Sequence, residues 1–148
     1  MKEMTRIEKS IEIEAPVEKV IDFAADWQNK SKWYAGIHDW KPTTEKTRGV
    51  GARFVFKTKF LGREDETEME TDNFAQNESI GYKSVRGVES RHKMLFASLG
   101  GRTKVTDISE YTLPIPVLGW LVDALVFKRR MHRNSEDSLQ NLKRLTGG

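Results

Sequence analysis

Tyr82, His92, Asp107, Tyr111 and His132 are five side chains of this 148-residue chain that could form one polar cluster and move protons within it. Acid–base catalysis needs such groups within hydrogen-bond reach of one another, with pKa values tuned by their surroundings. His92 and Asp107 fall on predicted neighbouring strands, so a sheet can bring them together. His92, Asp107 and Tyr111 are therefore the catalytic candidates. A second reading fits the same residues: polar groups lining a wet pocket, kept inside by partners or water. Metal chemistry has little to stand on. His38, His92 and His132 lack ligand-like spacing, and there is no cysteine for a thiolate site or a disulfide. Neither metal nor cofactor is expected. G-x-S-x-G, P-loop and H-E-x-x-H patterns are missing, and "GVGARF" (Gly49–Phe54) reads as a strand start.

The elements that must position these groups start from bulk properties. The composition is 37% hydrophobic and 32% charged, as in a globular protein with a well-solvated surface. One domain over residues 1–148 is expected, since the length suits a single core. Net charge is +3, from 25 Lys and Arg against 22 Asp and Glu, too mild to argue for nucleic acid. "MKEMTRIEKS" lacks an apolar signal core, which gives the expectation of a cytoplasmic protein. The most apolar run, Leu113 to Phe127, is shorter than a bilayer requires and carries Asp123. It reads as the entry into a buried helix, with no stable membrane insertion.

Arg6–Ala15 alternates, with Ile7, Lys9, Ile11 and Ile13 on one face, and predicts a half-buried strand. Pro16 suits a first helical turn, and Val17, Val20, Ile21 and Ala24 follow at helical spacing. A second short helix is expected over Asn29–Tyr34, then extended chain from Ile37 to Glu45.

"ARFVFKTKFLGREDETEMETDNFA" predicts a hairpin turning at Leu61-Gly62. In that register Lys59 faces Glu64, Lys57 faces Glu66 and Arg53 faces Glu70. Phe56 faces Thr67 and Phe54 faces Met69 on the other side. One register thus puts opposite charges on the wet face and apolar groups on the dry one, and a one-residue slip loses every pair. The acidic run Glu64, Glu66, Glu68, Glu70 reads as a solvated strand face.

Three further strands are predicted over Ser79–Arg86, Ser90–Leu99 and Arg102–Leu113, with turns at Gly87 and Gly100-Gly101. Their dry faces run through Ile80, Tyr82 and Ser84, through His92, Met94 and Phe96, and through Val105, Asp107, Ser109 and Tyr111. A plain core would not choose Ser84, His92, Asp107 and Ser109. Val117–Leu145 predicts one long helix of about 40 Å. Its stripe of Leu118, Leu121, Val122, Leu125, His132, Ser135, Leu139 and Leu142 turns polar in the middle. "KRRMHR" (Lys128–Arg133) fans around the helix axis and reads as a mostly solvated face.

The order of strand, two short helices, six strands and long helix predicts an α+β protein. Its antiparallel sheet closes around the helix. The chain resembles the START-like, or Bet v 1-like, helix-grip (SRPBCC) superfamily, and within it the polyketide cyclase/dehydrase and lipid-transport branch. "IEIEAPVEKVIDFAADWQNKSKWYAGI" is similar to that branch's strand–Ala-Pro–helix–Trp-x-x-Trp-Tyr entry. "GGRTKVTDISEYTLP" is similar to its Gly-Gly-x-Thr-x-Val-Thr strand. "VLGWLVDALVFKRR" matches "LLGRLLD"-type helix starts, and "SLQNLKRL" the usual ending.

The resemblance implies a seven-stranded curved sheet and an internal cavity. The two short helices would form a V under the end of the long helix, with Trp33 and Tyr34 near one mouth. The ligand-facing set would then comprise Trp33, Tyr34, Phe54, Phe56, Met69 and Tyr82. It would continue through His92, Met94, Phe96, Asp107, Tyr111, Leu125, His132 and Ser135. Relatives often carry a large apolar residue where Ser135 stands. The serine therefore suggests open space opposite it, with His132 and Ser135 as the polar end of a site. The superfamily implies no transferable catalytic set for these residues. Three functions stay open: binding or transport of a small, mostly apolar lipid- or polyketide-like ligand; a cyclase or dehydratase acting on a polyketide-like substrate; or a protein-interaction module whose cavity is filled by side chains. Cavity volume separates the last from the others, because much less than about 300 Å³ leaves no room for a typical ligand.

Overall fold

The computed structural model describes residues 4–60, 62–112 and 120–147. Strand β1 (Met4–Ile13) leads into helix α1 (Val17–Ala25), a 3-10 turn (Trp27–Asn29) and helix α2 (Lys30–Trp33). Strands β2 (His38–Pro42), β3 (Arg53–Phe60), β4 (Arg63–Ala75), β5 (Ser79–Arg86), β6 (Ser90–Ser98) and β7 (Thr103–Thr112) follow, and α3 (Trp120–Thr146) ends the chain. Every pairing is antiparallel, in the order β1-β7-β6-β5-β4-β3-β2. The seven-stranded sheet curves around α3, with the short helices between β1 and β2.

The sequence explains most of this locally. Pro16 caps α1, and Val17, Val20, Ile21, Ala24 and Ala25 form its buried face. Thr103 Oγ1 donates to the Ala15 carbonyl at 2.8 Å and ties the β1–α1 corner to β7. The β3–β4 register is the predicted one, with Arg53 opposite Glu70, Lys57 opposite Glu66 and Lys59 opposite Glu64. Gly62 sits at φ +76°, the left-handed region that the tight turn demands. The ion pairs run partly along diagonals, within reach of long side chains. Lys57 Nζ is 3.9 Å from Glu64, and Glu66 bonds Arg86 of β5 at 2.7 Å. Phe54 and Met69 are buried on the inner face, and Phe56 is half-buried.

Helix α3 departs from the expected stripe. Ser135, Ser138, Leu139, Leu142 and Thr146 are buried, whereas Leu125 is 61% exposed and Val126 is also exposed. Leu125, His132 and Leu139 are spaced by sevens, and a straight helix drifts about 20° per heptad away from such a repeat. The inner face fixed by Leu139 and Leu142 has therefore rotated past Leu125 four turns earlier, and Phe127 and Met131 point to the sheet instead. Leu118 and the expected first residue Val117 lie outside the described residues. Among the described residues, no helix is long and apolar enough to cross a membrane.

Candidate functional site

Period-2 alternation on β5, β6 and β7 puts Tyr82, His92 and Asp107 on the inner face, where all three are buried. The β6–β7 register sets His92 opposite Ser109, and Asp107 opposite Met94. His92 Nε2 bonds Asp107 Oδ1. The other carboxylate oxygen, Oδ2, accepts from Ser135 Oγ of α3 at 2.6 Å. Burial pushes the Asp107 carboxyl up, but His92, Ser135 and the charge of Lys30 outweigh it and hold the group below its ordinary value. Because Ser135 donates to Asp107 and not to His92, this is not a nucleophile–base pair. It is a carboxylate that fixes a histidine from behind, with a serine fixing the carboxylate.

Tyr34 is placed by contacts from α3. Ala35 N–H donates to Ser138 Oγ at 2.8 Å, and Asn141 Nδ2 donates to the Trp33 carbonyl at 3.2 Å. Just after Trp33 and Ala35, Gly36 sits at φ +86°, and a Cβ there would strike the Asn134 side chain, so the turn hugs the helix closely. The Tyr34 ring meets His92 edge-on, with centroids 5.0 Å apart. Burial, and then the Asp107 charge, push the Tyr34 phenol well above its usual range.

Behind Tyr34 lies the least expected group in the molecule. Lys30 opens α2, yet it is 3% exposed. Its Nζ sits 4.7–4.9 Å from the ring centroids of Trp33, Tyr34, Trp40 and Tyr82. That nitrogen has no hydrogen-bond partner among the described residues. Cation–π attraction from the four rings replaces some of the lost hydration. Burial still pulls the amine down to about 7, against the smaller opposing effect of Asp107. Trp40 is stacked on Phe54 at 4.9 Å, so the cage is continuous with the aromatic core.

A cavity of about 140 Å³ opens between α3, the turn after α2 and the inner faces of β3, β4, β6 and β7. Its wall includes Tyr34, Ile37, Phe56, Met69, His92 and Tyr111. Phe127 meets Tyr111 edge-on at 5.1 Å beside it, and Met131 and Asn134 complete the α3 side. Burial lifts the Tyr111 phenol to about 12. Lys59, Arg63, Arg91, Arg130, Asp65 and Glu110 also line the cavity, and Arg63 Nε bonds Asp65 at 3.0 Å.

The expected site residues thus divide into three groups. Tyr34, Phe56, Met69, His92 and Tyr111 line the cavity. Trp33, Phe54, Tyr82, Met94, Phe96, Asp107 and Ser135 are buried but outside its lining. Trp33 therefore plugs the core end and does not stand at a mouth. Ser135 is corrected too: Asp107 lies opposite it, not open space. His132 and Leu125 are at the surface. His132 is only partly covered, and burial together with Lys9 and Lys128 holds its pKa down. Lys30 and Trp40 are additions that the sequence reading does not contain. Lys30 stands three and four residues before Trp33 and Tyr34, a helical spacing that shares one face and was the available signal. Among the described residues, no cluster of three His, Asp or Glu side chains is placed to hold a metal ion.

Residues 4–147 match the model of the polyketide cyclase / dehydrase and lipid transport family. A structure from Thermus thermophilus superposes with a TM-score of 0.81 at 21% identity, over 95% of each chain. The Zhui aromatase/cyclase from a Streptomyces species gives 0.80 at 14% identity, over 97% of this chain and 94% of that one. A START superfamily protein from Mycobacterium smegmatis gives 0.72 at 16%, over 95% and 99%. No curated protein matches in sequence. The match spans nearly the whole chain, and the protein belongs to the polyketide cyclase / dehydrase and lipid transport family, with the START-like helix-grip fold.

Proposed function

We propose that this member of the family binds a small, mostly apolar ligand in the cavity between α3 and the sheet, acting as one ligand-binding domain in the cytoplasm. The observation that carries the reading is the cavity wall itself. Aromatic and thioether groups (Tyr34, Phe56, Met69, Tyr111, Phe127, Met131) form one side of a lining that also holds His92, Ser109 and Asn134, with charged side chains at its mouth. Apolar walls with a few placed polar atoms are the usual make-up of a small-molecule site. The volume, about 140 Å³, is less than half of the roughly 300 Å³ of a drug-sized site. By the volume criterion it has no room for a typical lipid- or polyketide-sized ligand, and a protein-interaction module with a largely filled cavity stands as the competing reading. The space suits a single ring, as an apolar cavity of about 150 Å³ suits benzene. A longer ligand would place one ring inside and continue past the charged mouth. Native mass spectrometry of protein purified from its own host tests this. A co-purifying small molecule that is released on denaturation supports the reading. Bare protein, with no uptake of ring-sized compounds added afterwards, overturns it.

One observation favours a second reading, an enzyme of cyclase or dehydratase type. His92 is on the cavity wall and is fixed from behind by Asp107. A histidine held this way can take a proton from a bound ligand or return one. Turnover that disappears in His92→Gln while ligand binding persists would favour catalysis over carriage.

A further inference from the structure

We propose that the amine of Lys30 is a covalent capture site for small aldehydes and ketones that enter the neighbouring cavity. Capture goes beyond reversible binding but rests on the same cavity. Lys30 Nζ is fully buried and has no hydrogen-bond partner among the described residues, so no acceptor there occupies its protons or orients it away from a guest. It is walled by four aromatic rings, and burial there takes the amine out of water and favours its neutral, nucleophilic form, against the cation–π attraction that the rings offer the ammonium. The downward shift to about 7 agrees with that geometry.

The amine is one ring away from the cavity. Tyr34 stands 4.7 Å from Nζ and is itself part of the cavity wall. It is the last residue before Ala35-Gly36, where the chain leaves α2, and as a residue it is of intermediate exposure, although its phenol end is buried. A swing of that ring joins the two compartments. His92 borders both, edge-on to Tyr34 and stacked on Tyr82 at 6.0 Å, and is braced by Asp107.

The chemistry balances without an oxidant or reductant. The neutral amine attacks the carbonyl carbon, a C–N bond forms, and the C=O π pair moves to oxygen. The nitrogen loses a proton and the oxygen gains one, with His92 on the cavity wall as the carrier. The carbinolamine oxygen then takes a second proton, the C–O bond breaks and water leaves as the nitrogen lone pair forms C=N, and the resulting iminium gives its remaining N–H proton back to the carrier. The net change is amine plus carbonyl to imine plus water.

The test is reductive trapping of the full chain with benzaldehyde and cyanoborohydride at pH 7, read by intact mass and peptide mapping. Capture predicts one benzyl group on Lys30, gained at least about tenfold faster than on any other lysine, since surface amines are almost wholly protonated at that pH. Lys30→Arg and Lys30→Met, checked for fold by circular dichroism, should lose the fast adduct, and Tyr34→Ala should accelerate it. Adducts spread over the surface lysines, or none, would overturn the proposal. Benzyl alcohol, which cannot form an imine, separates this from reversible binding. If the alcohol binds in the cavity but Lys30 is not trapped, capture fails and the binding reading stands. If Lys30 is trapped in a protein that does not take up the alcohol, capture stands and the binding reading fails.

Discussion

Ser135 on α3 donates to Asp107 on β7 at 2.6 Å, across the interface of helix and sheet. Both residues are buried. Hydrogen bonds to a charged group are worth roughly 1.5–3 kcal/mol. Ser135→Ala should therefore lower stability by about 1–3 kcal/mol in urea unfolding. Ser135→Leu should cost more, because it also forces extra methylenes against a carboxylate that keeps its charge. A leucine variant as stable as wild type would mean that open space, and not Asp107, faces this position.

Asp107 should also leave a mark on acid unfolding. Its carboxyl is held below the ordinary value of 3.8, with burial opposing and His92, Ser135 and Lys30 prevailing. A depressed acid contributes stability that is present above the unfolded pKa and is lost as pH falls through the folded one. Asp107→Asn should be less stable than wild type at pH 7, by roughly 2–4 kcal/mol, since it strips the partner from buried groups. The gap should narrow as the pH drops below 3.8. A gap that stays constant from about pH 7 to about pH 3 would contradict a charged Asp107.

Lys30 works in the opposite direction. Its folded pKa, about 7, lies under the ordinary 10.5. Between those values the unfolded chain holds a proton that the folded chain gives up, so this residue makes stability rise with pH through that window. Lys30→Met should raise the melting temperature more at about pH 7 than at about pH 10. An increment independent of pH, or a loss at neutral pH, would show that the aromatic cage holds the ammonium without strain.

At the β3–β4 turn, Gly62 has φ +76° and open space where a Cβ would lie. The cost of a side chain there is a backbone cost alone. Gly62→Val should destabilise by about 1 kcal/mol or more, and Gly62→Asn by much less, because asparagine tolerates the left-handed region. Equal melting temperatures for the two variants would refute the turn assignment.

Much of the frame could be read from residue order. The β3–β4 register follows because charge pairing and apolar alternation agree on one alignment. Strands β6 and β7 follow from period-2 patterns that carry polar residues inward, whereas residues 79–82 of β5 are buried without alternation. What escaped has physical causes. Trp40 lies on β2, where Asp39 takes φ +56° and the register slips between His38 and Lys41, so alternation could not say which way the indole points. Lys30 belongs to a residue type that is almost never fully buried, and only the folded chain reveals the four rings around it. His132 and Leu125 fall outside the site because a heptad repeat is not a straight-helix repeat. The cavity lining was half legible. Its strand residues follow from parity, while Met131 and Asn134 depend on the rotation of α3.

The most direct measurement of the central claim is a ¹³C-methyl methionine NMR titration with benzyl alcohol. Met69 and Met131 line the cavity, and Met94, buried in the core outside it, is an internal control. Binding in the cavity predicts large, saturable shifts of Met69 and Met131, a much smaller response from Met94, and loss of the shifts when Phe56→Trp fills the space. Shifts that never saturate, or that Met94 shares equally, would contradict a ligand site at this place.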